Sequence, residues 1–254
     1  MSSEGIILEK RGKTYWIIFN RPKRRNAING QLYDILAEGL RQANDDPDVM
    51  MTIFTGTGDF YSSGNDFSPE QMALIAENPD NGLKWKHFVH QLIAHKKPLI
   101  ALVNGPAIGI ACTTLAIFDL VIASDKAYFL CPFTEFGICP EGTSSLTFAQ
   151  LMGHTKAAQM ILFAEKLNAH DAFTAGFVAK VIPDHKFREE TEKLIQKYTN
   201  LSASSMILSK SMMRRNQQKL LAETNEYEAE TVKERVNSDE TMELLLNRFA
   251  KSKM

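Results

Sequence analysis

Residues 137–145 read GICPEGTSS and set one carboxylate, Glu141, between a proline and a glycine. Proline fixes its own φ, and glycine admits backbone paths closed to other residues, so this turn dictates where the carboxylate points. A carboxylate so aimed can move a proton; the alternative is an ordinary solvated loop glutamate, which describes most Glu residues. Two further stretches, YSSGND (61–66) and NGPAIGIA (104–111), are rich in small residues and stand between a strand pattern and a helix pattern. The first N–H groups of a helix lack intrahelical acceptors. A pair of them converging on one oxygen can hold a developing negative charge. Either loop by itself reads better as a tight connection and nothing more.

Other side chains compete for these roles. Glu135 lies six residues before Glu141. Asp66 closes the first loop, where capping of the following helix is the expected part. His87, His90 and His95 suggest a metal site, but no carboxylate or cysteine at matching spacing completes one, and an amphipathic helix accounts for them. Cys139 has no adjacent histidine to activate it, so packing is its expected role.

The elements that must position these residues alternate in type. GIILEKRG and KTYWIIFN read as two strands joined by an Arg-Gly turn, and residues 30–43 carry Leu32, Ile35, Leu36 and Leu40 at helical spacing. VMMTIFTG (49–56) is a short buried strand; a helix around 82–95 leads into PLIALV (98–103), a helix from about Gly109, and the strands DLVIAS and AYFL. From residue 143 the signals are helical: 144–152, 155–164, 169–176, 186–199, then charged amphipathic stretches over 219–250, expected to pack on the core or on a neighbouring subunit. No linker separates the halves. The expectation is an α/β protein with a core over 1–195 and a helical C-terminal region over 196–254 that acts with it as one functional unit.

Composition excludes several classes. With 44% hydrophobic and 23% charged residues the chain is an ordinary globular one. A net charge of −1 provides no global field for nucleic acid or anionic membrane, and the basic clusters at 21–26 and 212–219 read as solvated faces or local anion sites. Three cysteines without a CxxC give no disulfide framework. Residues Pro98–Phe118 carry no charge over a length that could span a bilayer, but Asn104-Gly105-Pro106 interrupts them, which makes a buried strand, loop and helix the better reading. The first residues are no secretory signal. The last three, Ser-Lys-Met, resemble the Ser-Lys-Leu peroxisomal address.

The motifs NRPKRRNAIN (20–29), TGTGDFYSSGND (55–66), KPLIALVNGPAIGIA (97–111), FDLVIASDKAYF (118–129) and FGICPEGTSS (136–145), in that order and spacing, resemble the crotonase (enoyl-CoA hydratase/isomerase) superfamily over nearly the whole chain. The resemblance implies a spiral of ββα units with a C-terminal helical trimerisation region, giving a homotrimer or a dimer of trimers. It implies acyl-CoA substrates whose thioester oxygen is held by the backbone N–H groups of Asn65 and Ile110. Ser63, Gly64, Asn65, Asp66, Phe67 and Phe133 are then expected around the substrate, Phe136 beside the acyl channel, and Lys23, Arg24 and Arg25 near the CoA phosphates. No metal or organic cofactor is implied.

The positions at which hydratases of this superfamily carry their two glutamates hold Thr113 and Phe133 here. Peroxisomal-type 3-enoyl-CoA to 2-enoyl-CoA isomerases instead follow a Pro-Phe pair with one glutamate before glycine and small hydroxyls, which CPFTEFGICPEGTSS matches. By that resemblance Glu141 is the proton shuttle of an isomerase in unsaturated fatty acid β-oxidation, its carboxyl raised by burial against Phe133 and Phe136. A peroxisomal import receptor would read the C-terminal tripeptide; the mitochondrion and cytosol are the other locations considered. Alternative activities are thioester hydrolysis or an atypical hydration on the same scaffold, or acyl-CoA binding without catalysis.

Overall fold

A computed structural model describes residues 2, 3 and 5–244 of the chain; the Ser-Lys-Met tripeptide lies outside them. The first hairpin forms as its sequence dictates. Strands β2 (Ile6–Arg11) and β3 (Thr14–Phe19) pair antiparallel across the Lys/Arg-Gly turn, and the short β1 (Ser2–Ser3) pairs with β2. Each later strand of the main sheet then enters parallel to its neighbour after a helical crossover. Helix α1 (Gly30–Asp45) leads to β4 (Met51–Gly56). Helices α2 (Pro69–Glu77) and α3 (Lys84–Ala94) lead to β5 (Leu99–Val103). The short strand β6 (Ala107–Ile108) and the four-residue helix α4 (Ile110–Thr113) precede β7 (Leu120–Ser124) and β8 (Tyr128–Leu130).

Helices α5 (Ser144–Met152) and α6 (His154–Ile161), strand β9 (Leu167–Asn168), helix α7 (Ala169–Thr174) and strand β10 (Lys180–Ile182) follow. The chain continues through α8 (Asp184–Tyr198), α9 (Ala203–Arg214) and α10 (Gln218–Val236). The main sheet runs β1-β2-β3-β4-β5-β7-β10 and a smaller one runs β6-β8-β9. This is the α/β arrangement that the resemblance implies. The sequence reading does not include α2 or the two-residue strands β1 and β6, and β9 and β10 fall in a region whose signals are helical. Strands of two and three residues are too short to display alternation, and their pairing to β8 and β7 is tertiary.

Both faces of the main sheet are covered, which is why its strands read as continuous apolar runs. Ile17, Phe19, Phe54, Ala101, Val103 and Val121 face one core. Their alternates Trp16, Ile18, Ile53, Ile100, Leu102 and Ile122 face a second core closed by Phe187 and Ile195 of α8. The uncharged Pro98–Phe118 segment is thus strand, loop and helix inside this core, and no helix among the described residues is long and apolar enough to cross a membrane. Helix α10 lies against α3: Asn225 Nδ2 donates to the Lys86 carbonyl at 3.0 Å, and Glu226 pairs with Lys86 and His90. Helix α10 therefore packs on its own core.

The loop after β4 is anchored by one side chain. Asn26 is buried at φ +57°, a region asparagine tolerates better than most residues. Its Nδ2 donates to the carbonyls of Thr57, Phe60 and Tyr61 at 2.9, 2.8 and 3.2 Å, while its Oδ1 accepts the Arg21 N–H at 2.8 Å. Asn26→Ala leaves these groups without partners, and thermal or urea unfolding is expected to register a loss of about 3 kcal/mol or more.

Candidate active site

The loops after β4 and β5 leave the carboxyl ends of neighbouring parallel strands, where open α/β sheets place their ligand crevices. Backbone bonds tie the loops together: Tyr61 and Ser62 N–H donate to the Pro106 carbonyl at 3.1 and 3.2 Å, and Ile108 N–H donates to the Ser62 carbonyl at 3.0 Å. Gly64, at φ +81°, is pressed so closely on this strand that a Cβ there would stand 2.5 Å from the Ile108 carbonyl oxygen. The backbone at Gly64, one residue before Asn65, is therefore packed against Ile108 and Gly109, which immediately precede Ile110.

On the other side of the first loop, Ile28 N–H donates to the Gly64 carbonyl and Asp66 N–H to the Ile28 carbonyl, at 2.8 and 2.9 Å. That pairing turns the Asn65 N–H away from Ile28. The Ile110 N–H heads α4, whose Cys112 and Thr113 N–H groups already take the Gly109 carbonyl. Among the described residues no acceptor takes the N–H of either Asn65 or Ile110.

Glu141 is only 3% exposed and lines the same cavity as Asn65. Asn65 Nδ2 donates to Glu141 Oε1 at 3.1 Å, and the Tyr33 hydroxyl of α1 donates in turn to Asn65 Oδ1. The turn that carries the carboxylate leans on α4: Gly142, at φ +69°, sits where a Cβ would meet Thr113 Oγ1 at 2.6 Å and Ile110 Cδ1 at 3.0 Å. One short helix therefore fixes both the Ile110 N–H and the backbone beside Glu141. Burial, reinforced by the nearby negative Glu228 and eased by the Asn65 hydrogen bond, pushes the Glu141 carboxyl up to about 8.

The cavity measures about 330 Å³ and runs from Asn65 and Glu141 past Ile28, Phe67 and Phe136 to Leu74, Trp85 and Val232. Phe67 and Phe136 stack across it with ring centroids 5.6 Å apart. Its carboxylates, among the described residues, are Asp66 and Glu141. Asp66 is already engaged. It pairs with Arg21 at 2.9 Å and accepts the Ser68 N–H at 3.1 Å, which overturns the helix-capping expectation: Ser68 occupies the N-cap of α2. Glu141 is the uncommitted one.

The structure separates the other expected site residues. Asn65, Asp66 and Phe67 line the cavity, whereas Ser63 and Gly64 stand behind it and shape the loop. Phe133 does not line it; it is 2% exposed and packs in the main core, because its 3-10 turn directs the ring inward. Lys23, Arg24 and Arg25 lie exposed around the 3-10 turn Pro22–Arg24, away from the cavity lining, and Arg25 covers the Phe60 ring. Glu135 is solvent-exposed. Burial and the negative Glu141 push the Cys139 thiol up to about 11, which argues against a nucleophile.

His95 is buried against Thr52, His90 pairs with Glu226, and no metal-ligand cluster exists among the described residues. Sequence reasoning missed Tyr33, the Asn65 side chain and Glu228. Tyr33 follows the 20–29 motif by four residues and Glu228 lies far downstream of every motif, and only folding brings both to Glu141 and its turn.

Adjacent small-residue loops under a buried carboxylate, on a spiral of strand–helix turns, define an α/β protein of the crotonase fold. The chain belongs to the enoyl-CoA hydratase/isomerase family, whose sequence pattern matches residues 9–252. It is 39% identical to mouse "Enoyl-CoA delta isomerase 3, peroxisomal" over 99% of this chain and 81% of that protein. It is 40% identical to rat "Enoyl-CoA delta isomerase 2" over 96% of this chain, which spans 63% of that longer relative. A crystal structure of a putative enoyl-CoA hydratase/isomerase from Acinetobacter baumannii superposes with a TM-score of 0.89 at 29% identity, covering 97% of this chain and 99% of the other.

Proposed function

We propose that the protein shifts the double bond of a 3-enoyl-CoA to give the 2-enoyl-CoA, with Glu141 carrying the proton and the N–H groups of Asn65 and Ile110 holding the thioester oxygen. The observation that carries this reading is the one uncommitted carboxylate lining the cavity among the described residues, held by the Asn65 side chain. A hydratase of this superfamily positions water with two glutamates; Thr113 and Phe133 stand at the matching positions. The names of the rat and mouse relatives support the same reaction.

The chemistry requires one base. Glu141 takes a proton from C2, and the electron pair of that C–H bond delocalises into the thioester, forming a dienolate over O, C1, C2, C3 and C4. The charge on oxygen is lowered by the two preorganised N–H donors. The protonated Glu141 then delivers its proton to C4, the thioester carbonyl re-forms, and the double bond rests between C2 and C3. No redox partner or added water enters the balance. A carboxyl near 8 suits both halves, because it holds the proton between steps yet ionises again.

The test is direct. Purified protein given a 3-enoyl-CoA is expected to yield the conjugated 2-enoyl-CoA, read by the rise in thioester-conjugated absorbance. A 3-enoyl-CoA left unchanged while a 2-enoyl-CoA is hydrated would sink the reading. The pH profile gives an independent check: the base must be ionised in the free enzyme, so kcat/KM should climb with pH and level off only above about 8. The mouse relative's name supports a peroxisomal location, testable with an N-terminal reporter fusion with and without residues 252–254. Assembly as a trimer is proposed with it, supported by exposed Phe163, Phe173, Met212 and Met213, and light scattering on the purified protein measures it.

A further inference from the structure

We propose that Glu228 of α10 is a positioning residue for Glu141: its carboxylate clamps the turn carrying Glu141, and its negative charge strengthens Glu141 as a base. The inference rests on the isomerase reading of the site. Glu228 is 3% exposed and lies 87 positions downstream of Glu141 in sequence, yet its two oxygens accept from the turn itself. Thr143 N–H donates to Oε2 at 2.6 Å and Ser145 N–H donates to Oε1 at 2.9 Å.

These bonds fall on the first turn of α5, where a carboxylate is favoured by unpaired N–H groups and the helix dipole. They also secure a strained backbone. Thr143 is a non-glycine at φ +67° immediately after Gly142 at φ +69°, a pair of left-handed residues that needs holding in place. Ser144 locks the same turn by donating its hydroxyl to the Glu141 carbonyl at 2.8 Å.

The charge relation follows from the same placement. Burial raises both carboxyls, but Glu228 has two N–H donors and Glu141 has one amide donor. Glu228 therefore ionises first, and Glu141 must lose its proton against a negative neighbour. The other titratable groups around Glu141 are Tyr33 from α1, Cys131 after β8 and Cys139 on its own turn, all raised by burial and by Glu141 itself. Arg235 of α10, which acts on Cys139, is occupied by the Gly137 carbonyl and Glu240, while Lys84 and Asp66, which line the same cavity, are paired with Asp34 and Arg21. Glu228 is thus the negative charge that acts on Glu141.

Glu228→Gln keeps the shape and one acceptor while removing the charge. The acid limb of its kcat/KM profile for a 3-enoyl-CoA is expected to move down by about one pH unit, with kcat reduced because the base is weaker. Glu228→Asp, which retains the charge on a shorter arm, should lose kcat while its limb stays with the wild type. A Glu228→Gln limb that coincides with the wild-type limb overturns the proposal, since a purely structural clamp would lower the rate without moving the profile.

Should Glu228→Gln fail to fold, carboxyl NMR on the ¹³C-glutamate-labelled wild type decides, with the Glu141 signal identified by its absence in Glu141→Gln. Glu228 ionised through the range in which Glu141 titrates supports the proposal; Glu228 still protonated there overturns it. Wild-type protein without isomerase activity would instead sink the functional reading, and the NMR titration does not depend on that activity.

Discussion

Glu141→Gln is expected to abolish double-bond migration and, at the same time, to make the protein more stable in mild alkali. The activity loss follows from the lone carboxylate: glutamine preserves the shape and can still accept from Asn65 Nδ2, but it cannot carry a proton. A positioned acid–base group contributes about 10²–10⁴-fold, and this one serves both C2 and C4, so a fall in kcat of at least about 10³-fold is expected.

The stability gain follows from linkage. The folded state raises the Glu141 carboxyl to about 8, whereas the unfolded chain releases that proton near the ordinary value of about 4.3. The folded protein thus binds the proton more tightly. The associated stability is fully present below about pH 4 and is lost as pH rises through 8. Glutamine never ionises and suffers no such loss. At about 1.4 kcal/mol per pH unit the ceiling is about 5 kcal/mol. Thermal unfolding of the two proteins should coincide near pH 4.5 and separate by several degrees at pH 8.5, the variant being higher. A variant equally stable at both pH values would mean that the carboxylate is not held in a buried, proton-binding state.

The second large effect is expected from Gly64→Ala. The methyl would enter at 2.5 Å from the Ile108 carbonyl oxygen, on a backbone with φ +81°. The neighbour is main chain tied into β6, not a flexible side-chain end, so the loops must part. That motion moves the Asn65 N–H away from the Ile110 N–H. Loss of one such donor is worth about 10²–10³-fold in kcat, and the strained conformation adds about 1–3 kcal/mol of instability. Kinetics with a 3-enoyl-CoA should show the loss mainly in kcat, while KM, set by the Ile28–Phe67–Leu74–Val232 cavity, changes little. A variant with wild-type kcat would remove the two-donor account.

Much of the architecture was legible because its signals are local. The hairpin at Arg11–Gly12, the helical spacing over 30–43 and the apolar runs of β4, β5 and β7 each appear within one short window. The Pro-Glu-Gly turn by itself reads as an ordinary loop glutamate, and the resemblance is what makes Glu141 a candidate. Expectations failed where a contact at a distance decided the outcome. Phe133 resembles a pocket residue by position but turns into the core. Asp66 looks like a helix cap, yet Arg21 and the Ser68 N–H claim it. The three-residue β10 exists because β7 offers it an edge.

The sequence by itself determined most of the order of strands and helices and the family resemblance, and through that resemblance singled out Glu141 as the candidate proton carrier, because these depend on residue type and near-neighbour spacing. Only the tertiary structure decided how that carboxyl is held and tuned. Tyr33, Asn65 and Glu228 come from three separate regions of the chain and meet at one turn, and burial there, in a medium that solvates charge poorly, sets the affinity of Glu141 for its proton.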